Sequence, residues 1–222
     1  MRFADAVERL AVLPSPLPAG RSELMPVFTD SRLRPRLTPS GTARPAAVLV
    51  LVVPDAAGDA RIVLTERLSY DGHHSGEVSF PGGKAEPDDL DEAATALREA
   101  AEEVGLDAAA SGVRVMGRLD EVFIPVSDFR ITPIVAIAER TPSLEPNPAE
   151  VATILTPSVG AFLPGAHIEM VERTIRDWPI RYGGFRIEGL HVWGATARIL
   201  GQLGAILGGE SIGADQIGRA HV

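Results

Sequence analysis

The stretch PGGKAEPDDLDEAATALREAAEEVGL, residues 81–106, determines how the rest of the chain is interpreted. It begins with a two-glycine turn, passes through an acidic loop and continues into a helix pattern that Gly105 ends. Asp88, Asp89 and Asp91 offer side-chain oxygens that can cap the first turn of this helix. Apolar spacing predicts a buried stripe on the helix, with the carboxylates pointing elsewhere. The predicted members of the stripe are Ala93, Leu97, Ala100, Ala101 and Val104.

The end of this helix carries three glutamates, Glu99, Glu102 and Glu103, next to Arg98. Residues three and four apart share a helix face, so like charges placed there cost about 0.2 to 0.5 kcal/mol per pair. Arg98 can neutralise part of the repulsion through Glu102, four residues further on. A hard divalent cation such as Mg²⁺ would offset more, because it takes oxygen ligands and is usually shared with substrate phosphates. The alternative interpretation is a solvated acidic helix face.

The motif REAAEEVGL, residues 98–106, together with Gly82-Gly83 and the acidic loop, resembles the box of the Nudix hydrolases. That box ends in Arg-Glu, an aliphatic residue, any residue, Glu-Glu, any residue, Gly and an aliphatic residue. Ala100 departs from it, because the pattern prefers a larger aliphatic residue at this position.

The interval between Gly83 and Arg98 is one residue longer than in the general box. The earlier glutamate of the box then falls near Asp89 or Leu90, so no ligand role is assigned to either residue. The longer interval is similar to that of the coenzyme A pyrophosphatase subgroup.

A second pattern, just ahead of the box, also resembles that subgroup. Its signature is Thr-x-Arg, a His seven residues after the Arg, then Gly-Gln or Gly-Glu and Phe-Pro-Gly-Gly. The residues in register are Thr65, Arg67, His74, Gly76, Glu77, Phe80, Pro81, Gly82 and Gly83. Within the interval the family usually has Ser, Leu and often a basic residue, whereas this chain has Leu68, Asp71 and Gly72.

The resemblance implies an α/β fold, a Nudix-type α/β/α sandwich with a mixed central sheet. It implies a single Nudix hydrolase domain over residues 1–222, with an N-terminal helix and arm (1–43), a core (44–207) and a tail (208–222). The implied activity is hydrolysis, dependent on Mg²⁺ or Mn²⁺, of the diphosphate bond of coenzyme A or its derivatives, giving 3′,5′-ADP and 4′-phosphopantetheine. The alternatives are another nucleoside diphosphate derivative, such as ADP-ribose, NADH or a dinucleotide, and a nucleotide-binding module without catalysis.

The resemblance also implies roles for individual residues. The implied metal ligands are Glu99, Glu102 and Glu103, one of which can serve instead as the base, and Arg98 would orient them through ion pairs. Glu150 precedes a predicted strand, in an Asn-Pro-x-Glu-Val stretch similar to one in the family, and is a candidate to orient or deprotonate water. The implied substrate contacts are Arg67, His74, Gly83 and Lys84. Structural alternatives remain open: a surface role for Glu150, an ion pair for Arg67 and a simple turn at the glycines.

Composition narrows the class of protein. The chain has 222 residues, 45% of them hydrophobic, which suits a globular domain with a sizeable core. The net charge of −9 argues against general binding to nucleic acid, and the absence of cysteine excludes disulfides, thiolate metal sites and a catalytic cysteine. The first 20 residues lack a signal-peptide pattern, and no apolar run reaches membrane-spanning length, so we expect a cytoplasmic protein without membrane contact. Whether a homodimer forms stays open.

Hydrophobic patterns predict the remaining elements. We expect a short helix over residues 4–13, an irregular arm over 14–45, and a closing helix over 192–207 that Gly208 ends. In that helix Trp193 is interpreted as a packing residue. The predicted strands cover residues 46–53, 61–65, 113–119, 131–138, 151–155, 167–171 and 180–187, the first two forming a hairpin.

Overall fold

A computed structural model describes residues 1–30, 41–68, 77–125, 127–175 and 178–209. The helices are α1 (Phe3–Leu10), α2 (Glu92–Val104), α3 (Ala108–Ser111) and α4 (Gly194–Gly208). The strands are β1 (Val27–Phe28), β2 (Arg44–Pro54), β3 (Ala60–Ile62), β4 (Leu64–Arg67), β5 (Val78–Ser79), β6 (Gly82–Lys84), β7 (Val113–Arg118), β8 (Val122–Ile124), β9 (Phe129–Ala138), β10 (Val151–Leu155), β11 (Glu169–Ile175), β12 (Trp178–Ile187) and β13 (Leu190–Val192). Within those ranges, no helix combines the length and the apolar composition that a membrane span needs.

The central sheet has six strands and is mixed. Its order is β3-β2-β9-β7, with β6 also paired to β2 and β8 also paired to β9. Strands β2 and β9 run parallel from the pair Arg44 and Phe129 to the pair Val52 and Ile137, and the other pairs in this sheet are antiparallel. The predicted hairpin of β2 and β3 is therefore present.

Both faces of β2 are buried, as its continuous apolar run predicts. Leu49 and Leu51 pack on one face together with Ala96 and Ala100 of helix α2. The alternate residue Val50 packs on the other face, in the same core as residues of α1 and α4. Each fully buried aliphatic side chain of this kind contributes about 1.5 to 3 kcal/mol. The predicted α/β fold, with a mixed sheet between helices, is confirmed.

Two smaller sheets extend this core. Strand β4 pairs with β10 on one side and with β5 on the other. Strand β12 pairs with β1, β11 and β13. The arm predicted to be irregular therefore contributes a strand, since Val27 pairs with Arg181 and Phe28 pairs with Ile180.

Several predicted boundaries are wrong in detail. The stretch expected as one strand over 61–65 forms β3 and β4, because the chain leaves β2 after Ile62 to pair with β10 and β5. The predicted loop between the strands at 113–119 and 131–138 contains β8. Gly208 is the last helical residue of α4, and Gly209, with φ of 74°, is the left-handed residue that caps the helix.

Candidate active site

Gly82 and Gly83, predicted as a turn, instead lie in strand β6, which pairs with β2 and packs against helix α2. Gly82 has φ of +153°, and a Cβ atom there would lie 2.4 Å from the carbonyl oxygen of Ala47, so only glycine fits. A Cβ atom at Gly83 would lie 2.5 Å from a carboxylate oxygen of Glu99. The two glycines thus let strand β2 and a glutamate of α2 approach the same backbone segment from different sides.

Helix α2 is capped as its sequence predicts. The Asp91 carboxylate accepts a hydrogen bond from the Ala94 amide at 2.8 Å, and Gly105 ends the helix with φ of 65°. The predicted buried stripe is partly wrong. Ala101 is exposed, and the helix instead turns Thr95 and Glu103 inward. The deeply buried members are Thr95, Ala96, Ala100, Glu103 and Val104.

Arg98 connects the acidic loop to the glutamates. Its Nε and one terminal nitrogen donate to the two carboxylate oxygens of Asp89 at 3.0 and 3.1 Å. The other terminal nitrogen donates to Glu99 at 3.1 Å and to Glu102 at 3.2 Å. A further hydrogen bond reaches the backbone oxygen of Lys84 at 3.0 Å. The ion pairs expected between Arg98 and the glutamates are therefore present for Glu99 and Glu102, whereas Glu103 faces Arg67 instead.

Asp89, predicted only as a possible capping residue, is in the structure a bidentate partner of Arg98. Its pKa lies far below the usual range, mainly because Arg98 hydrogen-bonds to it, and also because of the Glu86 amide and the Thr95 hydroxyl. Its side chain is 8% exposed. The available signal was its position, since the earlier glutamate of the box falls near Asp89 or Leu90 in this chain.

Glu103 is the most buried acidic group of the site, with only 4% of its surface exposed. The Gly82 amide N–H donates to its Oε2 at 3.1 Å, and a terminal nitrogen of Arg67 lies 3.9 Å from its Oε1. Burial raises the pKa of Glu103 to about 7, against the opposing effects of Gly82 and Arg67. The negative charges of Glu99 and Glu150 raise it further.

Glu99 and Glu150 complete the acidic side of the site. Burial is the main cause that raises the pKa of Glu99, and the charges of Glu102 and Glu150 act in the same direction. Glu150 is exposed and lies just before β10, where its carbonyl oxygen accepts a hydrogen bond from the Leu68 amide at 3.1 Å. The structure therefore brings Glu150 into the same electrostatic environment as the helix glutamates.

The other predicted substrate contacts are placed as follows. Arg67 ends strand β4 beside Glu103, and Gly83 lies under Glu99. Lys84 is exposed at the end of β6. His74 lies outside the described residues. The roles assigned to these residues stay predictions.

The carboxylates have the chemistry of a site for a hard divalent cation, because they offer only oxygen ligands and because the charges of Glu99 and Glu150 add to the burial that raises the pKa of Glu103. Glu102 is 56% exposed and pairs with Arg98, whereas Glu103 is turned inward. Accordingly, no three acidic or histidine side chains in the part of the chain that the structure describes lie close enough together to hold an ion.

A surface cleft of about 380 Å³ lies elsewhere, between α1 and the end of α4. Its lining residues include Asp5, Arg9 and Leu207, and none belongs to the glutamate site. The chemistry of the side chains, and not the size of this cleft, identifies the candidate active site.

The family model of the NUDIX domain matches residues 43–175, which include strand β6 and helix α2. The chain therefore belongs to the Nudix family. It is 39% identical over 164 residues to Nudix hydrolase 15, mitochondrial, from Arabidopsis thaliana. The aligned region covers 70% of this chain and 55% of that protein. It is 34% identical over 171 residues to the uncharacterized Nudix hydrolase NudL of Yersinia pestis (strain Pestoides F), covering 74% of this chain and 80% of that protein.

Among solved structures, the Nudix hydrolase RenU from M. smegmatis aligns with a TM-score of 0.44 and 24% identity, over 54% of this chain and 73% of its own. The chain spans little more than half of the length of the Arabidopsis relative. Family membership is thus shown by sequence, whereas the coenzyme A subgroup stays a prediction.

Proposed function

We propose that this chain is a metal-dependent pyrophosphohydrolase that cleaves the diphosphate bond of coenzyme A or its derivatives, giving 3′,5′-ADP and 4′-phosphopantetheine. The observation that carries the proposal is the position of Glu103. This carboxylate of the Nudix box is buried against the Gly82 amide and faces Arg67, which belongs to the upstream signature. Both sequence signatures therefore meet at one acidic group.

The charge balance at this point supports a cation and an anionic substrate. A buried carboxylate is costly to ionise unless a cation compensates it, and Arg67 at 3.9 Å compensates Glu103 only in part. Glu99, Glu102 and Glu103 would hold Mg²⁺ or Mn²⁺. When bound, such an ion neutralises diphosphate charge and lowers the pKa of a coordinated water.

The protein groups divide the remaining work of the reaction. Arg98 holds Glu99 and Glu102 in place through its fork of hydrogen bonds. Arg67 keeps donors for substrate phosphate, because a guanidinium suits phosphate oxygens and this side chain is 34% exposed. A water molecule attacks one phosphorus, the bridging P–O bond breaks, and the departing phosphate keeps the bridging oxygen. One of the box glutamates or Glu150 takes the proton of that water.

The substrate assignment is tested by offering purified protein several nucleotides separately, with Mg²⁺ or Mn²⁺. The panel is coenzyme A, ADP-ribose, NADH and diadenosine polyphosphates, and chromatography identifies the products. We expect coenzyme A to be the preferred substrate and 3′,5′-ADP to appear. Preference for another nucleotide would overturn the substrate assignment and keep the chemistry. Nucleotide binding without turnover of any of them would point to a binding module.

A further inference from the structure

A cation and two aromatic rings form a cluster in the sheet around β12. The guanidinium carbon of Arg173 lies 5.0 Å from the ring centroid of Trp193 and 5.7 Å from that of Tyr182. The rings of Tyr182 and Trp193 stack against each other, with centroids 4.7 Å apart and an angle of 30° between planes. Trp193 thus has the packing role expected of it, and one of its partners is the charged side chain of Arg173.

Strand register explains why these side chains meet. Val171 pairs with Tyr182, and alternation then puts Arg173 of β11 on the same face of the sheet as this tyrosine. Arg181 precedes Tyr182 in β12 and therefore points to the opposite face. Tyr182 is fully buried, whereas Arg173 is exposed. The cation consequently sits at the surface on a rigid aromatic base.

The polar groups of the cluster are incompletely paired. The hydroxyl of Tyr182 is buried and has no hydrogen-bond partner within the ranges that the structure describes. Among the described residues, no carboxylate or carbonyl oxygen pairs with the Arg173 guanidinium. Arg44 differs, because it stacks on Phe129 and also donates to a backbone carbonyl oxygen at 2.6 Å. A stacked guanidinium without an acceptor keeps its N–H groups available for an anion.

The cluster adjoins the candidate active site through β5. Strand β13, which immediately precedes Trp193, packs against β5. The carbonyl oxygen of Glu77, just before β5, accepts a hydrogen bond from the amide of Arg67 at 3.0 Å. The charges of Arg173 and Glu77 both act on the pKa of Tyr182, which burial raises. Strands β13 and β5 therefore connect the rings under the stacked cation to the end of β4 that carries Arg67.

We propose that Arg173, held on the rings of Tyr182 and Trp193, binds a second phosphate group of the substrate, one that is not part of the cleaved diphosphate. The inference rests on the proposed function and specifies how the substrate is recognised. Arg173 is the contacting residue, and the two aromatic residues position it. Coenzyme A carries such a group as its 3′-phosphate, whereas dephospho-coenzyme A, ADP-ribose and NADH lack it.

The test compares coenzyme A with dephospho-coenzyme A for wild type and for Arg173→Gln, Arg173→Lys and Arg181→Gln. We expect Arg173→Gln to raise KM for coenzyme A about 10- to 100-fold, the loss typical of a hydrogen bond to a charged group. Its KM for dephospho-coenzyme A and its kcat should stay close to those of wild type. The KM of Arg173→Lys for coenzyme A should lie between those of wild type and Arg173→Gln, because lysine keeps the positive charge but cannot stack as a planar guanidinium. Arg181→Gln is the matched control and should change neither KM.

Equal effects of Arg173→Gln on both substrates, or no effect on either, would overturn the inference. A binding measurement separates this failure from failure of the proposed function. Calorimetry with adenosine 3′,5′-bisphosphate and with 5′-AMP needs no turnover. Tighter binding of the bisphosphate by wild type, lost in Arg173→Gln, supports the subsite even for a protein that hydrolyses neither substrate. Equal binding of both nucleotides by wild type contradicts it.

Discussion

Replacing Glu103 with glutamine should stabilise the metal-free protein at high pH. The folded-state pKa of about 7 stands against an ordinary value of 4.5, and each pKa unit corresponds to about 1.4 kcal/mol, which gives about 3 kcal/mol. Because the folded-state pKa is raised, the cost is fully present above pH 7 and disappears as the pH falls towards 4.5. The glutamine keeps an oxygen that can accept the hydrogen bond from Gly82 and never ionises.

Urea denaturation in the presence of a chelator, at pH 5 and at pH 8, measures this effect. The Glu103→Gln variant should be more stable than wild type by about 3 kcal/mol at pH 8 and by less than about 1 kcal/mol at pH 5. Glu102→Gln is the control, because Glu102 is 56% exposed and should change stability by less than about 0.5 kcal/mol at either pH. The reasoning would be refuted if Glu103→Gln were less stable than wild type at pH 8. It would also be refuted if the difference in the free energy of unfolding were the same at pH 5 and pH 8.

Three further results are expected. At pH 8, Mn²⁺ at 100 times its Kd should raise the free energy of unfolding of wild type by about 3 kcal/mol. It should raise that of Glu103→Gln much less. Thermal unfolding with and without the metal measures both effects. Arg98→Lys keeps the positive charge but loses the planar guanidinium that joins Asp89 to the glutamates. Turnover should therefore fall about 10- to 100-fold. An unchanged kcat/KM would contradict the positioning role of Arg98. Gly83→Ala places a methyl group against the Glu99 carboxylate. Activity should therefore drop, while the melting temperature stays near that of wild type. Full activity of this variant would show that catalysis does not need the Glu99 carboxylate in contact with residue 83.

Local patterns predicted the elements with strong periodicity or strong end signals. The apolar run of β2 indicated a strand buried on both faces, and the residues around Asp91 and Gly105 indicated the two ends of α2. The spacing of Arg98 and Glu102 on one helix face was also sufficient to predict their ion pair. These features depend on residues close together in the chain.

The rest depends on contacts that spacing does not contain. Helical spacing could not tell which way α2 rotates against the sheet, so the burial of Glu103 and the exposure of Ala101 were missed. Strands of two or three residues, such as β1, β5 and β8, are too short to show alternation. The approach of Arg67 to Glu103 and that of Arg173 to Trp193 both require strand pairing across sequence-distant segments.

The most direct test of the central claim is the release of 3′,5′-ADP from coenzyme A by wild type and by Glu102→Gln and Glu103→Gln, in the presence of Mg²⁺ or Mn²⁺. Glu92→Gln is the matched control, because Glu92 is an exposed glutamate in the first turn of the same helix. Each of the two substitutions of a box glutamate should lower kcat/KM at least about a hundredfold, which corresponds to roughly 2.7 kcal/mol of activation free energy. Metal-dependent turnover that both variants lose and Glu92→Gln keeps is the predicted result. Turnover that survives in both variants, or that proceeds equally well with a chelator, would contradict the assignment of these glutamates.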